Sequence, residues 1–152
     1  MKAPTMEKPK FVYVTHINSA PEKVWAALTD PEFTRQYYGG RRIQSDWTVG
    51  ASIKFLRPDG GIDLVGEVLR VEPPRLLACT FNDTRHTELP PEKTSRLTFE
   101  ISTAMGVTTL TIIHDDFQPD SQLVNQVSTG WQMIACSIKS LLETGKPLPF
   151  AW

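Results

Sequence analysis

The chain lacks most of the features that would assign it quickly. No apolar run approaches the roughly 18 residues that a membrane-crossing helix requires, and Met1 to Lys10 is charged and proline-broken where a secretion signal would be apolar. The expected compartment is therefore the cytosol. Only two cysteines are present, Cys79 and Cys136, in segments that read as a strand and a helix, so two reduced thiols are expected and not a disulfide framework. The three histidines, His16, His86 and His114, form no HxxxH or HxH pair, and no CxxC occurs, so metal-ligand spacing is missing and no metal is expected. There is no G-x-S-x-G nucleophile turn, no phosphate-cradling loop and no G-x-G-x-x-G, which argues against a serine hydrolase or a nucleotide-dependent enzyme and predicts no cofactor. Neither sign of charge predominates. Sixteen Lys and Arg against seventeen Asp and Glu leave a net charge of −1, too little basic surface for nucleic acid or an anionic membrane.

What is present reads as one soluble α+β domain. The 152 residues are 40% hydrophobic and 22% charged, a length at which about two-thirds of the chain surface can be buried. Residues 10–17, KFVYVTHI, are rich in β-branched and aromatic side chains and predict a first strand. Ser19-Ala-Pro-Glu22 carries a capping-box pattern with Pro21 in the first turn, followed by Val24, Trp25 and Leu28 at helical spacing. Asp30-Pro31 ends that helix and opens a second short one, which Gly39-Gly40 stops. Six strands are then expected at 41–47, 51–57, 61–72, 75–83, 94–102 and 107–114, separated by turns such as Asp59-Gly60-Gly61 and Pro73-Pro74. Leu97, Phe99 and Ile101 alternate with polar residues, the period of a strand with one face in a core. From Gln122 to Thr144 apolar residues recur every three or four positions within about 120° of arc, predicting one long helix that Asp120 or Ser121 can cap and Gly145 with Pro147 ends. This order excludes a doubly wound parallel sheet. It suits a curved antiparallel sheet closed by the last helix, with the space between either filled by large side chains or left as a cavity.

Several motifs resemble a known family. They are the strand followed by INSAPEKVWAALTDPEF, the pair Tyr37-Tyr38, Val49-Gly50-Ala51, Gly66-Glu67-Val68-Leu69 with Glu72-Pro73-Pro74-Arg75-Leu76, and Gly130-Trp131 in the last helix. Over about residues 10–145 the chain resembles the SRPBCC (START-like) superfamily, and within it the single-domain branch named for the activator of heat-shock protein 90 ATPase. Ala51 and Tyr38 depart mildly from the usual glycine and tryptophan. The resemblance implies a helix-grip fold, as in the birch-pollen allergen, and a hydrophobic ligand held between sheet and helix. It does not carry over the chaperone-activating role, which belongs to larger proteins with an added domain.

Aromatic residues are the strongest site candidates. Tyr37, Tyr38, Trp47, Phe55, Phe81, Phe99 and Trp131 come from separate elements that such a fold would gather around one cavity, where they either bind a ligand or fill the core. His114 shares strand parity with Leu110 and Ile112, so its ring is expected to point inward, with Asp115 and Asp116 following. Arg57 and Glu67 lie on adjacent expected strands and either pair inside or face water. Three functions follow. The first is a binding protein for a small hydrophobic molecule, monomeric or homodimeric. The second is a cofactor-free cyclase or hydrolase using His114 and a tyrosine. The third is a chaperone-linked interaction module using Phe150, Trp152 and Met133.

Overall fold

The computed structural model describes residues 9–83 and 93–149, so His86, Phe150 and Trp152 lie outside the described residues. The elements are β1 (Phe11–Ile17), α1 (Pro21–Thr29), α2 (Pro31–Tyr37), β2 (Arg42–Ser45), β3 (Ser52–Leu56), β4 (Ile62–Glu72), β5 (Leu76–Asp83), β6 (Ser95–Ala104), β7 (Val107–Asp115) and α3 (Leu123–Thr144). The strands form one sheet in the order β1-β7-β6-β5-β4-β3-β2. Every neighbouring pair is antiparallel. The expected α+β helix-grip architecture is what the chain adopts.

Local chemistry explains the helix boundaries, with one correction. Ser19 does not cap α1: the N-cap is Ala20, its backbone extended ahead of Pro21, and no side chain bonds the first turn. Ser19 is instead drawn into a tight turn, its N–H donating to the Ile17 carbonyl at 2.9 Å. Asp30 serves two helices at once. Preceding a proline, it is pushed out of the α region and ends α1, and its carboxylate accepts the Glu32 N–H at 2.9 Å as the cap of α2. At the far end Gly145, at φ 84°, gives α3 a left-handed C-terminal cap that closes on the Leu141 carbonyl. Neither Asp120 nor Ser121 is the N-cap of α3. That position is Gln122, while Ser121 Oγ accepts the Leu123 N–H at 3.1 Å.

The 22 residues of α3 span about 33 Å and lay Val127, Trp131, Ile134, Ile138 and Leu141 on the sheet. The inner face of the sheet answers with alternating residues, Leu97, Phe99 and Ile101 on β6 and Leu110, Ile112 and His114 on β7. Two bulges break the pattern on β4. Phe55 faces Leu64 and Leu56 faces Ile62, which leaves Asp63 as the extra residue, and a second shift falls between Val68 and Arg70. The strand expected at 41–47 is shorter than that, because Trp47 sits at φ 54° in the connection to β3. Among the described residues, no helix is long and apolar enough to cross a membrane.

Candidate functional site

Seven of the eight aromatic and histidine residues singled out from sequence form one continuous network of rings. Trp131 on α3 is its hub, with centroids 6.3 Å from Tyr38, 6.1 Å from Phe81, 5.9 Å from Phe99 and 6.2 Å from His114. Tyr38 meets Phe55 edge-on at 5.6 Å and lies 6.3 Å from Tyr37, and Phe55 meets Phe81 at 6.4 Å. Nearly all these contacts are steeply tilted or T-shaped, the arrangement that sets a ring's positive edge against its neighbour's negative face. Trp47, the eighth, joins by a different route: its indole N–H donates to the Thr29 carbonyl at 3.1 Å, which tethers it across the end of α1.

The rings enclose little space. An inner cavity of about 30 Å³ lies between sheet and helix, walled by thirteen residues that include Tyr37, Tyr38, Trp47, Phe55, Phe99 and Trp131 and carry no charged group. That volume holds one or two waters and no organic molecule. A second cavity of about 30 Å³ opens toward the surface, lined by Phe81, Gln126, Val127 and Gly130. Three residues, Tyr38, Trp131 and Ile134, belong to both walls and so form the partition between them. Of the two alternatives expected for the gap between sheet and helix, packing by large side chains is the one this interior realises.

His114 lies behind the partition and lines neither cavity. It is fully buried, and its two nitrogens are both occupied. The Trp131 Nε1–H donates to His114 Nδ1 at 3.0 Å, so Nδ1 bears no proton. The neutral ring therefore holds its proton on Nε2, which donates to Ser95 Oγ at 2.7 Å, and the Ser95 hydroxyl donates onward to the Phe81 carbonyl at 3.3 Å. Burial lowers the His114 pKa to about 4, and the Asp115 charge opposes the shift only in part. Asp115 itself faces the other side of the sheet, where it takes two hydrogen bonds from Arg96 at 2.9 and 2.7 Å.

Other polar groups near the cavity are equally quiet. The Tyr37 hydroxyl donates to the Ala27 carbonyl at 2.7 Å, and burial raises its pKa far above the usual phenol range. Cys79 lines the inner cavity, its thiol pushed up to about 12 by burial, so it is neither thiolate nor nucleophile. Cys136 is half-buried against the Tyr13 hydroxyl at 3.5 Å, and neither cysteine is in a disulfide. Among the described residues no three His, Cys, Asp or Glu groups approach closely enough to hold a metal.

The structure separates two residues that the sequence placed on neighbouring strands. Arg57 binds Asp59 and Asp63 at the β3–β4 turn, while Glu67 is exposed and faces Ser52 at the opposite end of the hairpin. A groove of about 610 Å³ also lies on the outer face of the sheet, but its arginines are spent on neighbours: Arg96 on Asp115, Arg70 and Arg75 on Glu72. Ser95 and Phe117 were not singled out from sequence. Phe117 reaches His114, centroids 4.5 Å apart, because Asp116 adopts φ 58° and turns the chain back.

Comparison with known proteins agrees with this fold. The family described as activator of Hsp90 ATPase homolog 1-like protein matches residues 18–143. No curated protein matches the chain. Among solved structures, the protein MLL2253 from Mesorhizobium loti superposes with a TM-score of 0.76 at 27% identity, over 89% of this chain and 97% of that one. The Aha1 dimer from Colwellia psychrerythraea gives 0.73 at 21%, over 91% and 98%. DynU16, a putative protein in the dynemicin biosynthetic locus, gives 0.74 at 24%, over 91% of this chain and 48% of that one.

Proposed function

The chain belongs to the activator of Hsp90 ATPase homolog 1-like family, and from that premise we propose that it binds a small apolar molecule between the sheet and α3. The observation that carries the reading is the partition: two cavities lined almost wholly by apolar and aromatic side chains, kept apart only by Tyr38, Trp131 and Ile134. Pockets for organic ligands run to about 300–1,000 Å³, far above the 30 Å³ of either cavity, so on this reading the filled interior is a closed state that has to open before a ligand enters. Binding requires these side chains to swing aside, and the apparent affinity is reduced by the fraction of molecules that are open. The same fold occurs in DynU16, a putative protein in the dynemicin biosynthetic locus, and a small-molecule partner fits that setting.

Two rival readings have less support. An enzyme using His114 as base needs a lone pair facing substrate, and Trp131 and Ser95 occupy both ring nitrogens. A chaperone-docking module needs a contiguous exposed apolar patch. Among the described residues the large exposed apolar side chains are spread over β1, β4, β7, α3 and two turns, and of the residues named for this reading only Met133 is described. The test is an NMR titration with naphthalene. Saturable shifts at the Trp131 indole N–H and at Leu77 and Leu97 are expected. Shifts confined to exposed residues such as Val12 and Val14, or none at all, would overturn the proposal.

A further inference from the structure

One residue removed from the partition, through Arg41, lies the one carboxylate among the described residues that is buried within the fold, and it is there because of an irregularity in the sheet. Asp63 and Leu64 are consecutive in β4 and both buried, at 3% and 0% exposed, which strict alternation forbids. The bulge resolves the conflict: with Phe55 opposite Leu64 and Leu56 opposite Ile62, Asp63 is the extra residue of β4 relative to β3 and its side chain is re-aimed. Its Oδ2 accepts from Arg41 Nε at 2.8 Å and its Oδ1 from Arg57 Nη1 at 3.1 Å. Arg41 in turn holds Tyr38. Gly39 and Gly40, at φ 60° and 79°, fold the chain back so that the Arg41 N–H reaches the Tyr38 carbonyl at 3.0 Å. The guanidinium then lies 6.0 Å over the Tyr38 ring and donates to the same carbonyl at 3.4 Å.

We infer that Tyr38 is a gate between the two cavities and that Asp63, acting through Arg41, is the positioning residue that keeps the gate closed. The inference rests on the interior being the ligand site proposed above. A buried carboxylate shared by two arginines is a rigid anchor, since a partner withdrawn from it leaves a charge uncompensated in the interior. Tyr38 is the C-cap residue that follows α2 and makes both the partition and the contact with the anchor. Opening thus means lifting the α2 C-terminus and the ring away from Arg41, with the sheet left in place.

Three variants test this. Tyr38→Ala joins the two cavities and should bind benzene more tightly than the wild type, read as a larger rise in melting temperature at the same benzene concentration. Asp63→Asn and Arg41→Met should speed hydrogen exchange at the Trp131 indole N–H and at the α2 amides by at least tenfold, while Ile112 and Leu110 amides in β7 keep wild-type protection. Uniform acceleration across all amides, or none, would mean the anchor is structural only and would overturn the role of Asp63, even if Tyr38→Ala binds benzene. Benzene binding by folded Tyr38→Ala no tighter than by the wild type would overturn the gate. Failure of the ligand reading shows separately, as wild-type protein without naphthalene binding whose Asp63 and Tyr38 variants still behave as described.

Discussion

His114 shows how a residue with catalytic chemistry is turned into a structural one. The Trp131 N–H aimed at Nδ1 is compatible only with an unprotonated acceptor, so an imidazolium would set two donors against each other. The consequence for stability has a definite sign. In the unfolded chain His114 takes up a proton below about pH 6.5, whereas in the folded protein it does so only below about pH 4. The unfolded state therefore binds more protons in that window, and stability falls as pH drops from 6.5 to 4, by at most about 3 kcal/mol. Urea midpoints measured across this range should decline for the wild type and decline less for His114→Asn, which cannot titrate there. Identical pH profiles would show that His114 is not buried as a neutral ring. The inward aim of His114 was legible from its parity with Leu110 and Ile112. Its partners were not, because Ser95 opens a strand where serine ordinarily marks a turn, and Trp131 reads as one more apolar position on a helix. Asp63 was illegible for a sharper reason: a carboxylate in a strand reads as solvent-facing, and nothing in a period-two pattern marks where a bulge falls.

At the scale of elements, the strands and the long helix followed from patterns that depend on burial alone. The alternation of β6 and the three-and-four spacing of α3 have no competing solution of the same length. Caps were less legible, since Ser19 has the capping side chain while Pro21 at the first helical position puts the cap at Ala20, which has none. Close approach of strands was not legible either. Gly66 sits between the paired residues Val65 and Val68, and a Cβ there would stand 2.3 Å from the Thr80 carbonyl oxygen. Backbone cannot yield as a flexible side chain does, so Gly66→Ala should destabilise by about 1–3 kcal/mol, lowering the melting temperature by about 2–4 °C per kcal/mol. An unchanged melting temperature would contradict so tight a β4–β5 contact. The same strand carries the Asp63 bulge, so the conformation of β4 bears on the partition as well as on stability.

For the whole molecule, the near-zero charge and the divided apolar content fit the proposed interior site better than a charged face. The sequence left open whether the space between sheet and helix is filled or empty, because that depends on rotamers and on how far the helix stands from the sheet. In this structure it is filled, by rings three of which have their polar atoms bonded: Trp47 indole to carbonyl, Trp131 indole to imidazole, Tyr37 phenol to carbonyl. Such a wall is mainly apolar area, which is what the proposed guest would contact. A bound molecule would have to displace Tyr38 and Trp131 and replace their mutual contacts with its own. Native mass spectrometry of the protein purified from its own cells tests this most directly. The expected spectrum contains a population carrying one small organic molecule, released on unfolding. A spectrum of the bare chain alone, with the same sample refusing naphthalene, would contradict a ligand-binding interior.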